Sequence, residues 1–248
     1  MDNPLHPFEL HNYVQISLFG LDISLNKAVV MMWVVLALVA GLLLAAAASR
    51  QLVPTKLQSL AEMFVDFIRG MILETMGKDG MRFFPFIATL FLFILFCNLL
   101  GLIPGSYTVT SQLVVTAAFA IFVYAMSVVV GFLQHGVKFL GILIPPGTPG
   151  WLLPLLMPIE LISQLARPLS LAVRLFANMT AGHTVLAVLF GMTLSLPVLI
   201  GWLPFTFTIA INGLEIIIAF IQAYIFTILT CVYLGDAMHL HGHDEHAH

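Results

Sequence analysis

Five stretches of this chain are too long and too poor in charge to be held in water: 28 to 49, 83 to 103, 112 to 133, 159 to 193 and 205 to 235. About twenty apolar residues in a helix match the hydrocarbon core of a bilayer, which is about 30 Å thick. Backbone N–H and C=O groups find no water there, so a spanning segment must pair them within itself. The runs are therefore read as membrane helices. Composition agrees, with 60% hydrophobic and 8% charged residues, against about a quarter charged in a soluble domain. The expected fold is an all-α integral membrane protein, one domain over residues 1 to 248, with five crossings. A net charge of −3 argues against nucleic acid as a partner. Cys97 and Cys231 lie inside apolar runs and read as small hydrophobes, with neither a disulfide nor a metal site expected. The outer N-terminal segment, 1 to 27, is polar and slightly acidic. It lacks the basic start and early apolar core of a signal peptide.

Residues 55 to 76 break the pattern. Leu57, Leu60, Phe64, Ile68 and Met71 recur at helical spacing, while Gln58, Glu62, Asp66 and Arg69 fall largely on the other side. This predicts an amphipathic helix on the membrane surface or against a partner. Thr55 with Gln58 reads as a capping box and Gly77 as a stop. The two last runs exceed a simple crossing. As helices, 159 to 193 and 205 to 235 would be about 52 Å and about 46 Å long, which predicts steep tilt and a hairpin of two long helices. Pro168 is a candidate kink, and the Pro- and Gly-rich stretch 141 to 158 reads as a loop with short pieces. Arg50, Lys56, Arg69, Lys78 and Arg82 follow the first span, and Lys138 follows the third. The connections 104 to 111 and 194 to 204 carry no Lys or Arg. The positive-inside rule then puts the N-terminus outside and the C-terminus in the cytoplasm.

Arg174 stands in the middle of the fourth run. A charge at the centre of a membrane helix costs about 2.5–3.5 kcal/mol on the insertion scale. Arginine cannot give up its proton, so it can only hold, attract or repel something charged. Glu160, Arg167 and Arg174 are spaced by seven and share a helix face, with Ser163, Gln164, Ser170 and Asn178 close to it. Asn212, Glu215 and Gln222 fall on one side of the last run. The simplest arrangement packs the two stripes around shared, wet space. For Ser170, Asn178 and Gln222, plain hydrogen bonding between helices is an open alternative. An antiparallel pair with His183 beside Glu215 and Arg174 beside Gln222 is self-consistent. Imidazole and carboxylate can take and release protons when their surroundings tune them. His183 lies about 13 Å from Arg174 on one side and Glu160 about 21 Å on the other. Two titratable stations separated by a fixed cation suggest two half-paths that do not join.

The run Arg167-Pro168-Leu169-Ser170-Leu171-Ala172-Val173-Arg174-Leu175-Phe176-Ala177-Asn178-Met179-Thr180-Ala181-Gly182-His183 closely resembles the signature of subunit a of F-type rotary ATP synthases. The segment from Glu215 through Gln222 is similar to that family's last helix, and the stretch from Asn98 to Pro104 to its motif at the end of an earlier span. The resemblance covers nearly the whole chain, including the Pro-Leu-His-Pro-Phe-Glu opening. It implies that Arg174 is the family's essential arginine, facing the carboxylates of a rotating ring of c subunits. It implies a proton path through Asn178, His183, Glu215, Gln222 and Asn98, with Glu160 toward the cytoplasmic outlet. In some members an acidic residue stands at the position of His183 and a histidine at that of Glu215, so the two types are exchanged here. The family assignment further implies b-type peripheral stalk subunits and the remaining ATP synthase subunits as partners. It implies a bacterial inner membrane location, a non-catalytic proton-channel role, and no cofactor or bound metal.

Two other classes compete. An independent secondary ion transporter usually carries internal repeats, and none is visible. A membrane enzyme would need a nucleophile or metal motif inside the spans, where His183 is the only histidine of the long helices. The tail, with His239, His241, His243, His246 and His248, reads as a solvated end, although alternating histidines can bind zinc or nickel.

Overall fold

The computed structural model describes residues 12–14, 17–18, 21–22, 25–48, 56–103, 108–143 and 150–238. The N-terminal opening, Thr55, Pro104 and the histidine tail lie outside the described residues. Six helices follow four short strands: α1 Lys27–Ala48, α2 Lys56–Met76, α3 Phe84–Gly101, α4 Leu113–His135, α5 Leu153–Ser195 and α6 Val198–Met238. Among the described residues all but α2 are long and apolar enough to cross a membrane. The five expected crossings are therefore present.

The strands were not expected. β1 (Asn12–Val14) pairs antiparallel with β4 (Leu25–Asn26), and β2 (Ser17–Leu18) with β3 (Leu21–Asp22). Strands of two or three residues are too short to show a two-residue hydrophobic alternation. At the junction with α1, the Asn26 side-chain oxygen accepts a hydrogen bond from the Val29 N–H at 3.1 Å and caps the first turn.

α2 runs from Lys56 to Met76, against an expected 55 to 76, and is followed by Gly77, whose φ of 68° favours glycine. Its partner is the chain's own core. Ile68, Met71, Ile72 and Met76 are buried. The Phe67 ring sits 5.6 Å from Phe91 of α3 and 5.8 Å from Tyr224 of α6. The Gln58 amide, expected in a capping box, donates along its own helix to Glu62 at 2.9 Å.

The two long helices exceed expectation. α5 has 43 residues and α6 has 41, about 65 Å and about 62 Å of helix. α5 begins at Leu153, inside the stretch read as loop, and the connection expected over 194 to 204 shrinks to Leu196 and Pro197. Proline misled the boundaries. Pro154 stands in the first turn of α5, where a missing N–H has no helical acceptor to lose. Pro158, Pro168 and Pro204 are carried inside the helices, so Pro168 does not end α5. Prolines are tolerated in membrane helices because neighbouring helices and local adjustments satisfy the freed groups.

α5 and α6 pack as a hairpin, with α4 against both and α3 against α6. The main core joins Val35 of α1, Ile68 and Ile72 of α2, Ile87 and Phe91 of α3, Val123 of α4, Leu171 and Leu175 of α5, and Phe226 and Leu234 of α6. α6 is asymmetric. From Gln222 onward it is largely buried, whereas Trp202, Phe205, Phe207, Ile209, Ile216 and Ile217 are exposed. α5 is more open still, burying only Pro168, Leu171, Ala172, Leu175 and Met179. Lipid tails are as apolar as leucine, so these exposed faces carry no hydrophobic penalty in a bilayer. Association there rests on packing and on hydrogen bonds between helices. One such bond joins the His135 ring Nε2, at the end of α4, to the Met238 carbonyl at 3.0 Å.

Candidate functional site

Asn98, Asn178, His183, Glu215 and Gln222 gather where α3, α5 and α6 meet the connection between α3 and α4. Asn98 of α3 is completely buried. Its amide donates to the Ala219 carbonyl of α6 at 3.4 Å, and its oxygen accepts from the Thr110 hydroxyl at 2.9 Å. Thr110 belongs to a single 3-10 turn, Val109–Ser111, that closes the connection before α4. The Ser111 hydroxyl donates back to the Thr108 carbonyl at 2.7 Å and braces that turn. A buried amide with an unused donor or acceptor would cost about 1–3 kcal/mol. The turn and the Ala219 carbonyl satisfy Asn98 and fix α3 against α6.

His183 of α5 is half-buried, and its Nε2 is hydrogen-bonded to the Thr108 hydroxyl at 2.6 Å. Glu215 of α6 is 8% exposed and lies against Gly182, where a Cβ would collide with the carboxylate. The close approach of α5 and α6 at this level therefore depends on glycine. Two turns deeper on α6, Gln222 is 2% exposed, and its amide oxygen accepts from the Asn178 amide at 3.4 Å. Glu215, Ala219 and Gln222 fall at i, i+4 and i+7, so one face of α6 presents the whole set. Both Glu215 carboxylate oxygens, the Gln222 amide nitrogen and the Asn212 side-chain oxygen are buried without a hydrogen-bond partner among the described residues.

The expected registry set His183 beside Glu215 and Arg174 beside Gln222. The Glu215 carboxylate meets α5 at Gly182, one residue before His183, and the Gln222 amide bonds Asn178, one turn from Arg174. Arg174 is exposed, and so are Arg167, Asn178, Ser170, Ala166, Ala177 and Ala181, with Arg174 on the flank of the face that buries Leu171, Leu175 and Met179. Arg174 is thus open to a neighbouring molecule on this side of α5, while Arg167 lies close enough to the buried Tyr233 of α6 to act on it electrostatically. The amides satisfy each other in the interface. A guanidinium carries five donors and a permanent charge, which the neutral amides there could not satisfy. Glu160 stands apart from the cluster, half-buried, accepting from the Gln164 amide at 3.1 Å. It is fourteen residues before Arg174, about 21 Å along the helix. No group of three or more potential metal ligands occurs among the described residues.

Thr108, Thr110 and Gly182 did not stand out in the sequence. The one available signal was the hydroxyl-rich Thr108-Val109-Thr110-Ser111 immediately before a span.

A sequence-family model described as ATP synthase A chain matches residues 29–235, most of the chain and every residue of this cluster. The chain belongs to the ATP synthase A chain family. Members with a similar sequence include the ATP synthase subunit a of Magnetococcus marinus, 50% identical over 244 residues, covering 96% of this chain and 94% of that protein. That of Rhizobium johnstonii is 49% identical over 247 residues, covering 97% and 99%. That of Pelagibacter ubique is 45% identical over 242 residues, covering 96% and 98%. Within the ATP synthase A chain family match lie both the inward cluster around His183 and Glu215 and the exposed arginines of α5.

Proposed function

We propose that this chain is the proton-translocating stator subunit of a rotary ATP synthase, a multi-pass component of the complex that performs no bond chemistry itself. It provides two offset half-paths to a ring of c subunits, with b-type stalk subunits and the rest of the synthase as further partners. The bacterial inner membrane is its location, with the N-terminus outside.

One observation carries the reading. Arg174 is displayed on the open face of α5, midway along an apolar helix, with no ion pair to a described carboxylate. A fixed cation at that depth is costly unless an anion or water meets it. Its exposure on α5 supports an anion supplied by another subunit. Ala166, Ser170, Ala177 and Ala181 on the same face let a neighbouring helix approach closely.

The roles follow from charge. A proton entering from outside is passed through Asn98, Asn178, His183 and Glu215 to a ring carboxylate, which can face lipid once neutral. On nearing Glu160 after almost a full turn, the carboxyl gives its proton to the inner half-path. The new anion is drawn to Arg174; opposite charges 4 Å apart attract by roughly 4 kcal/mol at an effective dielectric of 20. The same cation repels protons and keeps the half-paths separate. Gln222 and Asn178, hydrogen-bonded to each other, hold α5 and α6 in register beside it.

The decisive experiment is Arg174→Ala in the assembled complex. ATP synthesis and ATP-driven proton pumping should be lost, while the c-ring and the soluble ATPase head still co-purify with the subunit. Wild-type synthesis rates would refute the role.

A further inference from the structure

The hydrogen bond between the Thr108 hydroxyl and the His183 ring joins residues 75 positions apart. It connects the α3–α4 connection to the middle of α5. Three features show that the contact is built into the fold. Thr108 is 4% exposed. Gly101, the last residue of α3, makes room for it: a Cβ there would meet the Thr108 methyl at 2.6 Å and its hydroxyl at 2.9 Å. The Ser111 hydroxyl, at 2.7 Å, holds the Thr108 carbonyl in place.

We propose that Thr108 is a positioning residue for His183, its hydroxyl holding Nε2 and with it the orientation of the imidazole ring. This deepens the proton-path reading of His183 and rests on it. The hydroxyl oxygen and Nε2 stand 2.6 Å apart, and which of them donates depends on the imidazole tautomer. In the neutral ring the hydroxyl accepts from Nε2–H or donates to a bare Nε2. In the imidazolium both ring nitrogens carry hydrogen, so Nε2–H donates to the Thr108 oxygen and the bond becomes charge-assisted. The ring therefore keeps its anchor through a full cycle of proton uptake and release.

The test separates the hydroxyl from the side chain's shape. Thr108→Val keeps the branched volume and removes the hydroxyl, whereas Thr108→Ser keeps the hydroxyl and removes a methyl. Each is made in the intact synthase, beside His183→Ala, and ATP-driven proton pumping and ATP hydrolysis are measured on inverted membranes. Pumping should fall about tenfold or more in Thr108→Val, the scale of one hydrogen bond to a charged group. It should stay within about twofold of wild type in Thr108→Ser, and co-purification of each variant subunit with the c-ring and the ATPase head should show that all variants assemble. Thr108→Val pumping like wild type while His183→Ala fails would overturn the positioning role alone. His183→Ala pumping like wild type would instead overturn the proton-path reading beneath it. Equal losses in Thr108→Val and Thr108→Ser would assign Thr108 to packing and also defeat the proposal.

Discussion

Arg174 and the pair His183 and Glu215 define opposite demands on single side chains. In the proposed role Arg174 has to keep its charge and its planar fork. Lysine keeps the charge as a compact, strongly hydrated point without the fork, so Arg174→Lys is expected to synthesise ATP at no more than a few per cent of the wild-type rate. Synthesis near the wild-type rate would contradict that view. On the proposed proton path His183 and Glu215 exchange protons, and Glu215 lies against Gly182, the residue before His183 in the chain. Swapping them, His183→Glu with Glu215→His, should recover more proton flux than either single change. A double variant no better than the worse single would argue against direct coupling. Arg174, His183 and Glu215 were legible in the sequence because a charge inside an apolar run is costly and therefore conspicuous. Thr108 was not, since a threonine in a short connection is an ordinary residue until its distant partner is known.

At the scale of elements, apolar length located every crossing, while helix ends resisted. Pro158 and Pro204 sit inside helices that their composition seemed to terminate. The direction of the α5 stripe was also hidden. A period of seven places Arg167 and Arg174 on one face, but only the packing of Leu171, Leu175 and Met179 shows which face points inward. The charge split of α2 gave its helix correctly and left its neighbour open; the neighbour proves to be α3 and α6. Ile72 is buried at that seam and Leu73, the next residue, is 39% exposed. Ile72→Ala is therefore expected to destabilise the subunit by about 2–5 kcal/mol, and Leu73→Ala to do so far less. Thermal inactivation of the detergent-purified complex would measure it, and equal midpoints would place α2 outside the core.

For the whole molecule, Lys and Arg bias is the only sequence cue to orientation, and it predicts an outer N-terminus and a cytoplasmic C-terminus. Reporter fusions active only in the cytoplasm should work at the C-terminus and be silent at the N-terminus; the reverse pattern would invert every assignment of outer and inner half-path. The burial of α6 has a mechanical meaning as well. Phe226, Cys231 and Leu234 clamp one end of the long hairpin in the core, while no residue of α5 from Thr180 to Ser195 is buried. A beam fixed at its root bends most at its tip. The wall along α5 is therefore expected to be stiffest beside Leu171 and Leu175 and more compliant toward Ser195, with Arg174 at its firm end.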